Sequence, residues 1–342
     1  MNNLKKASHE MFRRSPDECF TSLTALWEHC YRRKEADNER WVPPVAIRPT
    51  PSDLDTLLLN AGSDGAFLMN DWSFGQLCRL ANVGKETVNR LTPETASRVF
   101  GETLPRGTKP LQLLTTEDHV RAIHGTAYTR LYDVDLLTLV REFAVDFEAP
   151  PKGVNGGTGL YAGEQDMFLF LIDPTGWAEI GGNTFAPGFF LWNSEVGRRS
   201  LGISTFWFQA VCGNHIVWDA IEVVEFTRKH TTKVHDALCD VRRIIESLVN
   251  KRDARRDGFV QVIRKAMNTR LGDDVEEATK AVAKHGVRGQ LAKKAIEFAS
   301  RNGGLTVFAV VDALTQLSQE LHNAGSRTEA DQRAAKLLVS VA

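Results

Sequence analysis

The stretch from Phe185 to Phe226 constrains the fold more than any other part of the chain. Three apolar runs, Phe189–Trp192, Leu201–Val211 and Ile216–Phe226, are separated by short polar breaks. They are rich in Phe, Trp, Ile and Val, residues that suit a pleated, half-buried surface. Within them Trp207–Val211 fits a buried strand or a buried helix equally, because so short a run has no readable period. The first break, Asn193 to Ser200, has turn formers at both ends and a tandem arginine, Arg198 and Arg199. The second, Cys212-Gly213-Asn214-His215, is a tight turn with Gly213 and Asn214 as candidates for positive φ.

On either side of this strand-rich centre the apolar spacing turns helical. Residues 16–33 place Phe20, Leu23, Trp27 and Cys30 on one face of a helix. Trp41–Pro51 holds four prolines. They exclude regular helix and central strand, so the segment reads as an extended linker or arm. Leu77–Leu91 has the spacing of a helix-turn-helix, with Asn82 in the turn and Lys85, Glu86, Thr87, Asn89 and Arg90 on or near the outer face of the second helix. A plain helical hairpin satisfies the same spacing. Thr92 and Pro93 then cap a further helix.

Between Leu111 and Val145 an αβ pattern is expected, with Thr115–Asp118 as an N-cap signature and a helix from Asp133 or Asp135. The loop from Pro150 to Gly159 is glycine-rich but lacks both phosphate-cradle spacings. Met167–Ile172 reads as a strand, and Gly176–Pro187 as a turn-rich connection. After Phe226, helices are expected over Val234–Asn250, Phe259–Met267, Val275–Lys284, Gln290–Ser300 and Leu305–His322, with a capping box at Ser326–Glu329. The fold class that follows is α+β: a mostly antiparallel central sheet with a helical N-terminal part and an all-helical C-terminal region. Three parts are expected: 1–110 helical with the proline-rich arm and the hairpin, 111–230 the α+β core, and 231–342 a basic helical region.

Charge sharpens the view of partners. The net charge of −1 hides ten acidic against two basic residues from Leu131 to Glu195, and eighteen basic against ten acidic from Arg228 to Arg301. A basic region of that size points to phosphate or to an acidic partner. Mutual neutralisation, within one chain or between subunits, is the competing reading. No apolar run approaches the ~18 residues of a membrane span, and the N-terminus lacks the apolar core of a secretory signal. Five cysteines without CxxC spacing fit reduced thiols in a cytoplasm.

The strings NSEVGRRSLGI and FWFQAVCGNHIVW resemble the signature of DUF932, a phage/plasmid-like family of uncharacterised function. Asn193, Ser194, Glu195, Gly197, Ser200, Cys212 and Asn214 match its pattern, and His230-Thr231 resembles the His-Thr that often follows. This chain has His215 where the family usually has glycine. The resemblance implies a mobile-element setting rather than a chemistry.

No catalytic motif is present, so no catalytic residue, metal or cofactor is assigned. Cys212, His215, His235 and Cys239 lack the spacing of a common zinc finger. Asp133, Asp135, Glu164, Asp166 and Asp173 are a candidate magnesium set for an enzyme acting on nucleic acid. The favoured expectation is a nucleic-acid-binding protein, DNA first, engaged in single-strand handling or recombination. Arg198, Arg199, Arg228, Lys229, Arg242, Arg243, Lys85 and Arg90 would meet phosphates. Asn193, Ser194, Glu195, Gly197, Cys212 and Asn214 would shape the turns. A non-enzymatic assembly protein, as a homo-oligomer, is the remaining alternative.

Overall fold

The structure, a computed structural model, describes residues 18–53, 56–151, 158–209, 215–218, 225–302, 304–320, 337, 338 and 340. Helix α1 (Leu23–Ala36) starts at Ser22, whose hydroxyl accepts from the Ala25 amide at 3.1 Å. It buries Leu26 and Cys30, with Phe20, Leu23 and Trp27 packed alongside, as its spacing predicts. The chain then enters a six-stranded sheet made of β1 (Asp37–Val42), β2 (Ile47–Pro51), β3 (Leu57–Ala61), β4 (Ala66–Met69), β5 (Leu111–Thr116) and β6 (His119–His124).

The order of this first sheet is β1-β5-β6-β4-β3-β2, antiparallel throughout except for the β4–β6 pair. Two expectations are corrected here. The proline-rich segment is no linker: Ile47–Pro51 is an edge strand paired to β3 alone. Pro49 and Pro51 have no N–H to donate, and an edge strand needs none on its outer side. The N-terminal part is therefore not purely helical, and a boundary at residue 110 runs through one sheet. Thr115–Asp118, expected as an N-cap, is the hairpin between β5 and β6, with Glu117 at φ +51.

Helices α2 (Asp71–Leu80), α3 (Lys85–Val88) and α4 (Pro93–Thr103) pack on the first sheet through Leu77, Cys78, Val88, Ala96 and Phe100. Asn82 has φ +54, so the hairpin turns where the sequence places it. Its second helix is only four residues long. That is one turn, too short to lie along a DNA groove as a recognition helix does.

The second sheet has seven strands: β7 (Leu160–Ala162), β8 (Met167–Ile172), β9 (Ala178–Ile180), β10 (Asn183–Asn193), β11 (Leu201–Gln209), β12 (His215–Trp218) and β13 (Glu225–Arg228). β10 is its spine, antiparallel to β9, β8 and β11. Pro187, expected in a turn, lies inside β10 where its neighbour changes from β9 to β8.

One face of this sheet packs against α1, α5 (Asp133–Phe143) and α6 (Asp236–Asn250), through residues such as Leu169, Phe189 and Leu191. Further along the same face, Trp207 stacks on Phe259 of α7 (Arg252–Asn268) at 3.9 Å and 6°. There α7, α8 (Val275–Lys284), α9 (Gly289–Asn302) and α10 (Val307–Glu320) close a second core. Among the described residues the C-terminal region is helical, as expected, although α7 begins at Arg252 rather than Phe259. The opposite face of the sheet carries Phe168, Phe170, Phe190, Phe206 and Phe208, all buried. Cys212, Asn214 and the segment 326–329 lie outside the described residues.

Candidate functional site

The break between β10 and β11 is the meeting point of the two sheets. Asn193, Ser194, Glu195 and Val196 are all buried. The Asn193 amide donates to the Leu131 carbonyl at 2.9 Å and to Asp133 Oδ1 at 2.8 Å. Ser194 donates to the Gln165 carbonyl at 2.5 Å and accepts from the Arg198 amide at 2.8 Å. Gly197 has φ +74, and a Cβ there would sit 2.6 Å from His124 Cε1, so glycine is required twice over. Gly197 serves the turn itself. Asn193, Ser194 and Glu195 do more, because each also has a partner on another segment.

Glu195 is the centre of a buried ion network. Its Oε1 accepts from the Asp133 amide at the start of α5 at 3.0 Å. Its Oε2 accepts from Arg121 of β6 at 2.9 Å and lies 3.2 Å from Arg33 of α1. Arg33 also bonds Asp133 at 2.7 Å, and Arg121 pairs with the buried Asp37 carboxylate of β1. Arg130 donates to Glu39 at 2.8 Å, to Gln112 at 3.0 Å and to the Glu195 carbonyl.

Burial works against the charged form of Glu195, but Arg33 and Arg121 outweigh it and hold the carboxyl below its usual range. Burial and the Glu195 charge push Asp133 above its own. The Asp37, Asp133 and Glu195 carboxylates are closed to solvent, with Glu39 at the exposed rim, so the network acts as a clamp between α1, the first sheet and the second sheet. The sequence did not point to Arg33, Asp37, Glu39 or Gln112 as members of this network. Lone charges in amphipathic segments look like solvated surface until tertiary pairing is known.

Beside the clamp lies an aromatic stack. His124 and Tyr128 are parallel at 3.6 Å, and Tyr128 meets His230 at 5.4 Å. The Tyr128 hydroxyl donates to the Glu195 carbonyl at 2.8 Å. Burial, then the Arg130 charge, lowers His124 to about 3. Burial lowers His230 to about 4. His124 Nε2 and both ring nitrogens of His230 have no hydrogen-bond partner.

The magnesium set is not gathered into one place. Asp133 faces Arg33, Asp135 faces Lys34 at 2.7 Å, Asp166 faces Arg199 at 2.6 Å, and Asp173 faces Arg252. Glu164 accepts from Asn70 at 3.3 Å. Among the described residues no group of three His, Cys, Asp or Glu side chains is placed to hold a metal.

The expected phosphate contacts separate into two kinds. Arg198 is exposed and lies over the Trp72 indole at 5.2 Å, where Arg79 also lies at 4.9 Å. Trp72 is fixed by its own bond to the Val196 carbonyl at 2.8 Å. Among the described residues, neither guanidinium has a carboxylate partner. Lys229 is exposed, and the Leu201↔Arg228 register of β11 and β13 sets it beside Ser200, next to the same turn. The other residues, Arg90 apart, are held by acids. Arg199 is half-buried on Asp166, Arg228 and Arg243 flank Asp240 at 3.2 and 3.8 Å, and Arg242 pairs with Glu246 at 2.9 Å. Lys85 pairs with Asp71, while Arg90 is exposed at the end of the hairpin. Arg252 joins Asp146 and Asp173, so part of the charge asymmetry is neutralised within the chain.

Comparison with known proteins finds no family model, no curated relative and no solved structure that matches this chain. No described helix is long and apolar enough to cross a membrane.

Proposed function

We propose that this protein binds nucleic acid through the sugar-phosphate backbone, at the surface where the Asn193–Gly197 turn meets α2. The observation that carries the reading is the Arg79–Trp72–Arg198 arrangement. Two guanidinium groups over one indole keep their N–H edges free of carboxylates. Guanidinium forks match phosphate oxygens, and aromatic support limits the freedom they lose on binding. Lys229 extends the same edge, and Lys85 flanks Asp71 next to Trp72. The one-turn α3 argues against base reading in a groove, so the contacts would be backbone contacts with little sequence preference. The resemblance to the DUF932 turn supports a phage or plasmid setting in the cytoplasm, with single-strand handling or recombination as the role.

Fluorescence anisotropy with a labelled single strand and the matching duplex, across a salt series, tests this. Each phosphate contact contributes roughly −0.7 to −0.9 to the slope of log affinity against log salt. Arg79→Ala/Arg198→Ala should weaken binding and flatten that slope by about 1 to 2. Lack of binding to either substrate at low salt overturns the reading, and an unchanged slope in the folded variant removes this surface from it.

A further inference from the structure

A second surface, away from the clamp, has the features of a small-molecule site. A cleft of about 520 Å³ lies between the edge strand β2 and helix α4. That volume suits a compact organic ligand. Its walls include Pro44, Pro49, Phe100 and Pro105, and Arg48 and Arg106 lie at its margin. Pro44, Pro49 and Phe100 are buried, while both arginines are exposed. Proline walls fix the backbone, so the cleft is formed before any ligand arrives.

Its electrostatics are one-sided. Among the described residues no acidic side chain lines the cleft. Among the described residues, neither arginine has a carboxylate partner, and the polar contact of Arg106 is a long one, 3.4 Å, to the Gly101 carbonyl. The Ser97 hydroxyl is already committed to the Pro49 carbonyl at 2.8 Å. The chemistry on offer is an apolar floor with two uncompensated cations above it.

We propose that this cleft binds a small amphipathic anion, an apolar body bearing one carboxylate or one phosphate. The apolar body fills the space over Phe100 and between the prolines. The anionic head meets Arg48 and Arg106, where bidentate donation is geometrically natural. The proposal does not depend on nucleic-acid binding, since it uses none of the residues around Trp72.

The test uses the full chain and the fluorescent anion 8-anilinonaphthalene-1-sulfonate as probe. The parent should show saturable binding. Octanoate, octyl phosphate or both should displace the probe while octanol does not, and the more effective of the two anions identifies the head group. Arg48→Ala/Arg106→Ala should bind at least tenfold more weakly with an unchanged melting temperature. Gly101→Trp, on the α4 wall of the cleft where an added Cβ meets nothing within 4 Å, leaves both charges in place and should abolish the signal. Absence of probe binding by the parent overturns the proposal. So do displacement by octanol equal to that by the anions, and full binding retained in either variant.

Discussion

Glu195 and Arg121 meet at 2.9 Å across the seam between the two sheets, although 74 residues separate them in the chain. Arg33 adds a third element to the same carboxylate at 3.2 Å. Replacing a buried ion cluster wholesale with apolar groups can be neutral, whereas removing one member strands the others. Glu195→Ala should therefore destabilise the protein by about 3–5 kcal/mol. Urea unfolding with the midpoint and slope both recorded will read this. A loss under about 1 kcal/mol would mean that Arg33 and Arg121 find water or other acceptors.

Gly197→Ala should cost about 1–3 kcal/mol for its backbone alone, since φ +74 is disfavoured for any residue with a Cβ. The collision with His124 adds to that. In a His124→Ala background the added part should vanish while the backbone part remains. A double-mutant cycle by thermal unfolding separates the two, and simple additivity would show that the His124 contact is relieved by a small shift.

The histidine stack sets a pH dependence with a definite sign. A histidine in the unfolded chain titrates near 6.5, while His230 and His124 are lowered to about 4 and about 3 in the fold. Between those values the unfolded chain binds more protons, so stability falls as pH falls. The contribution is complete above about 6.5 and drains away towards 4, then 3. His124→Phe/His230→Phe should show a shallower loss of stability between pH 6.5 and 4 than the parent, measured by denaturant midpoints at each pH. The same slope in both proteins would assign the acid sensitivity to carboxylates.

The strand Met167–Ile172 and the apolar runs Phe189–Trp192 and from Leu201 were legible because they are long and their breaks hold strong turn formers, whereas β9 and the first half of β10 lie in the segment expected as a turn-rich connection. The C-terminal helices were legible from spacing such as Leu238, Val241, Ile245 and Leu248. The first sheet was not. Its edge strand β2 carries prolines that argue against a strand until its unpaired side is known, and β1 reads as polar because it opens with Asp37, Asn38, Glu39 and Arg40. The candidate site was half visible. Asn193 to Gly197 stand out as a cluster of small and polar residues between apolar runs. Arg79 and Trp72 do not, since nothing local distinguishes them from residues of any amphipathic helix, and only the packing of α2 against the turn brings them to Arg198.

The clamp also bears on how the molecule assembles. Its members come from α1, β1, β6, the start of α5 and the turn after β10, so none of its ion pairs closes within a single local unit. Each must wait for long loops to be drawn in, an entropy cost met before the pairs return anything. The hairpins β5–β6 and β10–β11 have neighbouring partners and are the natural early structures. The seam charges then act as a late latch, and their energy appears in the height of the barrier to unfolding, so Glu195 governs the lifetime of the native state more than the speed at which it is reached.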